Sequence, residues 1–190
     1  ILPFPSEYPK NRLGLAKWLV NEENPLTSRV TINRYWQMIF GTGIVKTTGD
    51  FGVQGELPTH PELLDWLAAE FMESDWDLRS MLKLMVMSAT YQQSSYADPE
   101  KYEADPDNRY YARSSSYRWQ AEIIRDNALS ASGILQKKIG GPSVKPYQPE
   151  GLWEELGFFS YKLYKYKQDT GANLHRRSLY TFARRFSPAP

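Results

Sequence analysis

Apolar positions recur at intervals of three and four along residues 11–135, which predicts a body built from several helices. The first ten residues carry Pro3, Pro5 and Pro9 and are expected to form an extended lead-in, because proline fixes φ and removes a backbone donor. Asn11 stands where an N-cap belongs, Leu13, Ala16, Leu19 and Val20 follow at helical spacing, and Asn24-Pro25 ends the element. A second helix is expected from Thr27 or Ser28 through Phe40, stopped by Gly41, with a buried stripe of Val30, Trp36, Ile39 and Phe40. On it Arg29 and Asn33 share a face while Arg34 projects to another side. The connection that follows contains Gly41, Gly43, Gly49, Gly52 and Gly55, whose spacing fits no nucleotide-binding loop; a tight turn with positive φ at several places is the expectation. Thr59-His60-Pro61-Glu62 matches a capping box, with Leu63, Leu64, Leu67 and Phe71 on the buried side of the helix it opens. Asp75 or Asp77 is expected to cap a further helix that buries Leu78, Met81, Leu82, Met85, Val86 and Ala89, the methionines serving as packing material.

Beyond Gln92 the pattern weakens. A polar stretch to Asn108 is predicted as a loop with a short helix around Glu100, and another helix from about Trp119 to Leu135, ending near Gly133 or Gly140-Gly141. Glu122, Arg125 and Asp126 crowd one portion of that helix and are expected to form a salt-bridge network rather than an acid/base pair. Pro142 to Pro149 should be an extended arm, Pro149 to Leu156 a short helix carrying Trp153, and Phe158–Lys167 with Arg176–Phe182 the two strands of a hairpin around the turn Asp169–Asn173. The expected fold is therefore mainly α: an irregular multi-helix bundle with long loops and a small C-terminal β-hairpin. It is read as one domain over 1–190, with lead-in 1–10, helical body 11–135, and arm plus hairpin 136–190.

Composition narrows the function classes. With 190 residues, 41% apolar and 24% charged, the chain has a globular balance, and no apolar run of about 18 residues suits a membrane-spanning helix. The absence of cysteine removes disulfides, thiolate catalysis, zinc–thiolate sites and covalent haem attachment from these residues. A net charge of +1 is far from that of a nucleic-acid binder, so the aromatic and lysine-rich ribbon near residues 158–167 is read as a docking edge. Opening at Ile1 and closing at Ser187-Pro188-Ala189-Pro190, the chain is expected to be a piece of a longer polypeptide.

Candidate chemistry is sparse. Only two histidines exist, and His60 and Glu62 are two apart, a spacing that does not aim both at one ion from a regular helix face, so no metal site is expected. Asp50, His60 and Glu62 are the acid/base candidates, near the glycine-rich loop. Arginine is plentiful, and its planar fork suits carboxylate, sulfate or phosphate. Asn33, Arg34, Trp36, Arg118, Arg125, Trp153, Arg176, Arg177, Tyr180 and Arg184 are therefore the binding candidates, with an anionic polysaccharide as the ligand class; balanced charge equally allows the arginines to pair with the acidic groups.

Several strings carry a family likeness: Asn33-Arg34-x-Trp36, Phe40-Gly41-x-Gly43-Ile44-Val45, Asp50-Phe51-Gly52, Thr59 to Leu67, Ser88 to Ser95, Asp105-Pro-x-Asn-Arg109 with Arg113, Glu122 to Asp126, Gly140 to Pro149, Leu152-Trp153-Glu154 and Arg176 to Phe182. In this order they resemble a planctomycete-specific domain of unknown function, number 1553 in its series, from near Asn11 to the end, and the chain looks like the N-terminal part of that domain. His175 and Ala183 depart from it, standing where the family has an aromatic or polar residue and often Trp. The resemblance implies a module of a larger extracytoplasmic (periplasmic or cell-surface) protein with haem c in another domain, docked to other domains of the same parent chain and associated with polysaccharide use. The leading expectation is thus a docking or structural module with anionic glycan contacts; the alternative is a carbohydrate-active enzyme domain using Asp50 and His60 in an arginine-lined cleft.

Overall fold

In the computed structural model, which describes residues 2–149 and 166–183, Asn11 caps helix α1 (Arg12–Leu19): its side-chain oxygen accepts from the Leu13 and Gly14 amides at 3.0 and 3.1 Å. The lead-in crosses α1 at Gly14, where a β-carbon would stand 1.9 Å from the Pro9 carbonyl oxygen; only glycine permits that approach. The chain divides between Tyr117 and Arg118 into two compact units.

The first unit is organised by α2 (Thr27–Phe40), α3 (Pro61–Glu73) and α4 (Leu78–Met87). Positions four apart on α2, Ile32, Trp36 and Phe40, are buried and face α3, joined by Leu64, Leu67 and Phe71 of α3, Met81 and Met85 of α4, and Ile44, Val45 and Tyr111 from loops. Val30 and Ile39, expected on the buried stripe, are only partly buried, with Ile39 packed at the edge of this core. Asp77 caps α4, accepting from the Arg79 and Ser80 amides; the Ser80 hydroxyl, donating at 2.6 Å, is the main cause that holds this carboxyl below its ordinary pKa. Ser88 ends α4 and caps the short α5 (Ala89–Gln92), so Ala89 is exposed rather than buried. Helix α6 (Pro99–Ala104) brackets Glu100 as expected.

Two local expectations are corrected. Thr59 is not the cap of α3: His60 occupies that position, and the Thr59 amide and hydroxyl both donate to the Ile44 carbonyl at 3.0 and 3.3 Å, binding the loop to itself. Of the glycines in the 41–55 loop, only Gly41 has positive φ (+82°), where it stops α2. Two others serve by smallness: a β-carbon on Gly55 would lie 2.2 Å from the Asp50 carbonyl oxygen, and one on Gly43 2.6 Å from that of Val45, whereas one on Gly49 would meet open space.

The second unit contains α7 (Ala121–Ala131), closed by Gly133 at φ +76°, and two 3₁₀ turns, Gly171–His175 and Ser178–Tyr180. A C-terminal hairpin is not supported. Among the described residues there is no strand; residues 176–182 make isolated parallel bridges, Gln136 to Arg176 and Val144 to Thr181, around the second 3₁₀ turn. Pro142 and Pro146 lack the N–H donors a continuous ladder needs, which leaves single bridges. Most of the proposed first strand, and the short helix carrying Trp153, lie outside the described residues. The arm itself is pinned: Val144 exchanges hydrogen bonds with Tyr180 and Phe182, and Lys145 with Asp169.

Candidate functional site

Helix α2 ends in the left-handed Gly41, and the absence of a β-carbon there lets Tyr117 lie against the turn, its ring 3.3 Å from where one would be. The Tyr117 hydroxyl donates to the Met38 carbonyl at 3.0 Å, and the Ser115 hydroxyl donates to that of Phe40. Opposite stands the 105–113 loop. Asp105 accepts from the Arg109 and Tyr110 amides, both at 2.8 Å, and Asn108, in the left-handed conformation, exchanges two bonds with the Arg113 backbone. The buried Arg113 guanidinium donates to the carbonyls of Asp105 and Pro106 and covers one face of the Tyr102 ring at 4.8 Å.

Between these two walls lies a concavity of about 450 Å³, within the size range of small-ligand sites. Thr42, Ser95, Tyr102, Ser114, Ser116 and Tyr117 line it, and among the described residues the hydroxyls of Thr42, Ser95, Tyr102, Ser114 and Ser116 make no hydrogen bond. Its charges are satisfied: Asp107 pairs with Lys46 at 3.4 Å, and Arg113 is engaged as described. Sequence reasoning missed this site. The available signal was the run Ser114-Ser115-Ser116 between Tyr110-Tyr111 and Tyr117, an unusual density of hydroxyls and rings.

The residues singled out from sequence are distributed elsewhere. Asn33 is fully buried; its amide donates to the Val45 carbonyl and its oxygen accepts from the Val45 amide, both at 2.9 Å. Trp36 is buried, stacked on Phe40 at 4.0 Å and edge-on to Tyr111. Arg34 is exposed, as are Asp50, Glu62, Arg118 and Arg177. Asp50 accepts from the Gly52 amide at 2.7 Å in a local turn. His60 is half-buried, its Nδ1 2.9 Å from the Thr59 hydroxyl and its ring tilted over Tyr111.

In the second unit Arg125 donates to the Leu174 and Arg176 carbonyls, each at 2.9 Å, and to the Ser178 hydroxyl. Asp126 accepts from the Ser178 amide and hydroxyl, and lies 3.6 Å from Arg125. Arg176 is buried, donates to the carbonyls of Lys138, Gly140 and Pro142, and stacks over Tyr180 at 4.0 Å. The Tyr180 hydroxyl accepts from the Gly140 amide. A second concavity, about 570 Å³, is lined by Ile123, Asn127, Leu135, Arg177 and Leu179 among others. Trp153 and Arg184 lie outside the described residues. No described group of three or more His, Asp or Glu side chains could hold a metal ion, and no described helix is long and apolar enough to cross a membrane.

Tyr111 offers a pH test. Its φ of +53° is unusual for a bulky residue and is held by burial and by its hydroxyl, which donates to the Thr42 carbonyl at 3.2 Å. Burial raises its pKa above the ordinary phenol value near 10. The unfolded chain therefore loses this proton first, and stability falls as pH rises above about 10 toward the folded-state value. In a chemical-denaturation series across that range, Tyr111→Phe is expected to show a shallower alkaline decline, with a loss of about 1 kcal/mol at neutral pH from the missing hydrogen bond.

A family model described as PSD1, protein of unknown function (DUF1553), matches residues 11–190. No curated protein matches the chain, and no solved structure does.

Proposed function

We propose, for a chain that belongs to the PSD1 family of proteins of unknown function (DUF1553), a non-catalytic role: docking within a larger extracytoplasmic, cytochrome-c-type parent, with ligand contact through the neutral concavity of the first unit. The observation that carries this reading is the employment of several polar groups as scaffold, with the candidates Arg34, Glu62, Arg118 and Arg177 left exposed. Asp50 closes a turn, His60 is tied to Thr59, Asn33 to Val45, and Arg113, Arg125 and Arg176 to main-chain carbonyls. Catalytic acid/base groups need instead to converge on one reacting atom. Docking is supported by apolar side chains left exposed on one short helix, Leu13, Leu15 and Leu19, with Val20 at its end.

Two measurements test the reading. Amide exchange of residues 12–20 is expected to be slower in the parent protein than in the isolated chain; equal rates overturn docking. His60→Ala is expected to lose about 1 kcal/mol of stability and change no turnover in a panel of carbohydrate hydrolysis and ester-cleavage assays. Turnover by the isolated chain that disappears in Asp50→Asn or His60→Ala would establish the enzyme alternative instead.

A further inference from the structure

Resting on the binding-module reading, the geometry points to the concavity between Tyr102 and Tyr117 as a site for an uncharged sugar ring, approached with its apolar face to the tyrosines and its hydroxyls to the serines. A pyranose presents two kinds of surface: a patch of C–H groups, and a rim of hydroxyls that donate and accept. Aromatic rings offer the first a flat apolar contact, and side-chain hydroxyls offer the second reciprocal hydrogen bonds.

Both are present here, and the rings are fixed in advance. Tyr102 is braced on one face by Arg113 and Tyr117 rests on Gly41, yet the two rings remain 57% and 47% exposed. Holding the rings before the ligand arrives reduces the ordering cost of binding. The unbonded hydroxyls of Thr42, Ser95, Ser114 and Ser116 surround the same space. An anion is not favoured. The guanidinium at the site is buried, with two of its nitrogens on carbonyls and its plane on a ring, and the carboxylate of Asp107 is already paired with Lys46. Uncharged, hydroxyl-rich and partly flat describes a neutral saccharide better than a sulfated or uronic-acid polymer.

Affinity electrophoresis of the whole chain through gels containing β-glucan, xylan or mannan tests this, with dextran sulfate and alginate as the anionic arm. Retardation by at least one neutral polysaccharide is expected, unchanged between about 0.05 and 0.5 M salt, since no counterions are released. Ser95→Ala/Ser116→Ala, which removes exposed hydroxyls without burying anything, and Tyr102→Ala should each weaken it about tenfold or more, a loss of about 1.4 kcal/mol. No retardation by any neutral polysaccharide would overturn the site. So would retardation by the anionic polymers alone with steep salt dependence, or neutral binding that survives both variants. Protection of residues 12–20 in the parent, with no glycan retardation, would remove the sugar site while leaving docking intact. A peptide of the parent that protects Ser114–Tyr117 from exchange where no polysaccharide does would assign the concavity to a protein partner and likewise overturn the inference.

Discussion

Asn33→Leu should lower the stability of the first unit by about 2–5 kcal/mol, one of the two largest effects expected of any single substitution in the described residues. Asn33 is wholly buried on α2 and exchanges both hydrogen bonds of Val45, as a strand neighbour would. Leucine has similar bulk but leaves a buried N–H and a buried carbonyl unsatisfied, each at about 1–3 kcal/mol. Asn33→Asp restores only the acceptor and adds a buried charge, so it should be no better. Denaturation curves, read together with exchange of the Val45 amide, check this. A change below about 1 kcal/mol, with the Val45 amide still protected, would show that the loop is held some other way.

Arg176→Met should cost the second unit about 3–5 kcal/mol, in the range for breaking a buried charge whose two terminal nitrogens donate to carbonyls. The guanidinium gathers the carbonyls of Lys138, Gly140 and Pro142, and so ties the arm to the C-terminal segment in place of a sheet ladder. Arg176→Lys should recover less than half of the loss, because an ammonium cannot reproduce the planar fork or its stack on Tyr180. Exchange at Gly140, whose amide donates to the Tyr180 hydroxyl, should accelerate in both variants. If Arg176 acted only on a ligand, both would fold normally and lose binding alone.

Some of the candidate chemistry was legible in part and for a physical reason. Asn33, Arg125 and Arg176 stand out in the sequence as side chains rich in hydrogen-bonding groups, and such a group marks burial with a partner as readily as it marks a ligand site. The partners are main-chain atoms 12, 49 and 36 residues away, at Val45, Leu174 and Gly140, where no periodicity points. The hairpin expectation failed likewise: Arg176 to Phe182 has strand-like composition, yet two prolines in the opposing arm and the Arg176 clamp leave it one 3₁₀ turn and single bridges. The serine-lined concavity escaped notice because its walls meet through Tyr117 on Gly41, 76 positions earlier in the chain.

What the sequence determined by itself is local: the cap at Asn11, a cap at Asp75 or Asp77, the stop at Gly41, the short helix around Glu100, and the apolar faces of α3 and α4, all set by interactions within one or two turns. Tertiary structure alone decided which glycines serve by smallness, which arginines are consumed by carbonyls, and where unengaged hydroxyls and open rings come together. Those outcomes depend on the close approach of distant backbone, and a backbone carbonyl carries no signature in the residue that supplies it.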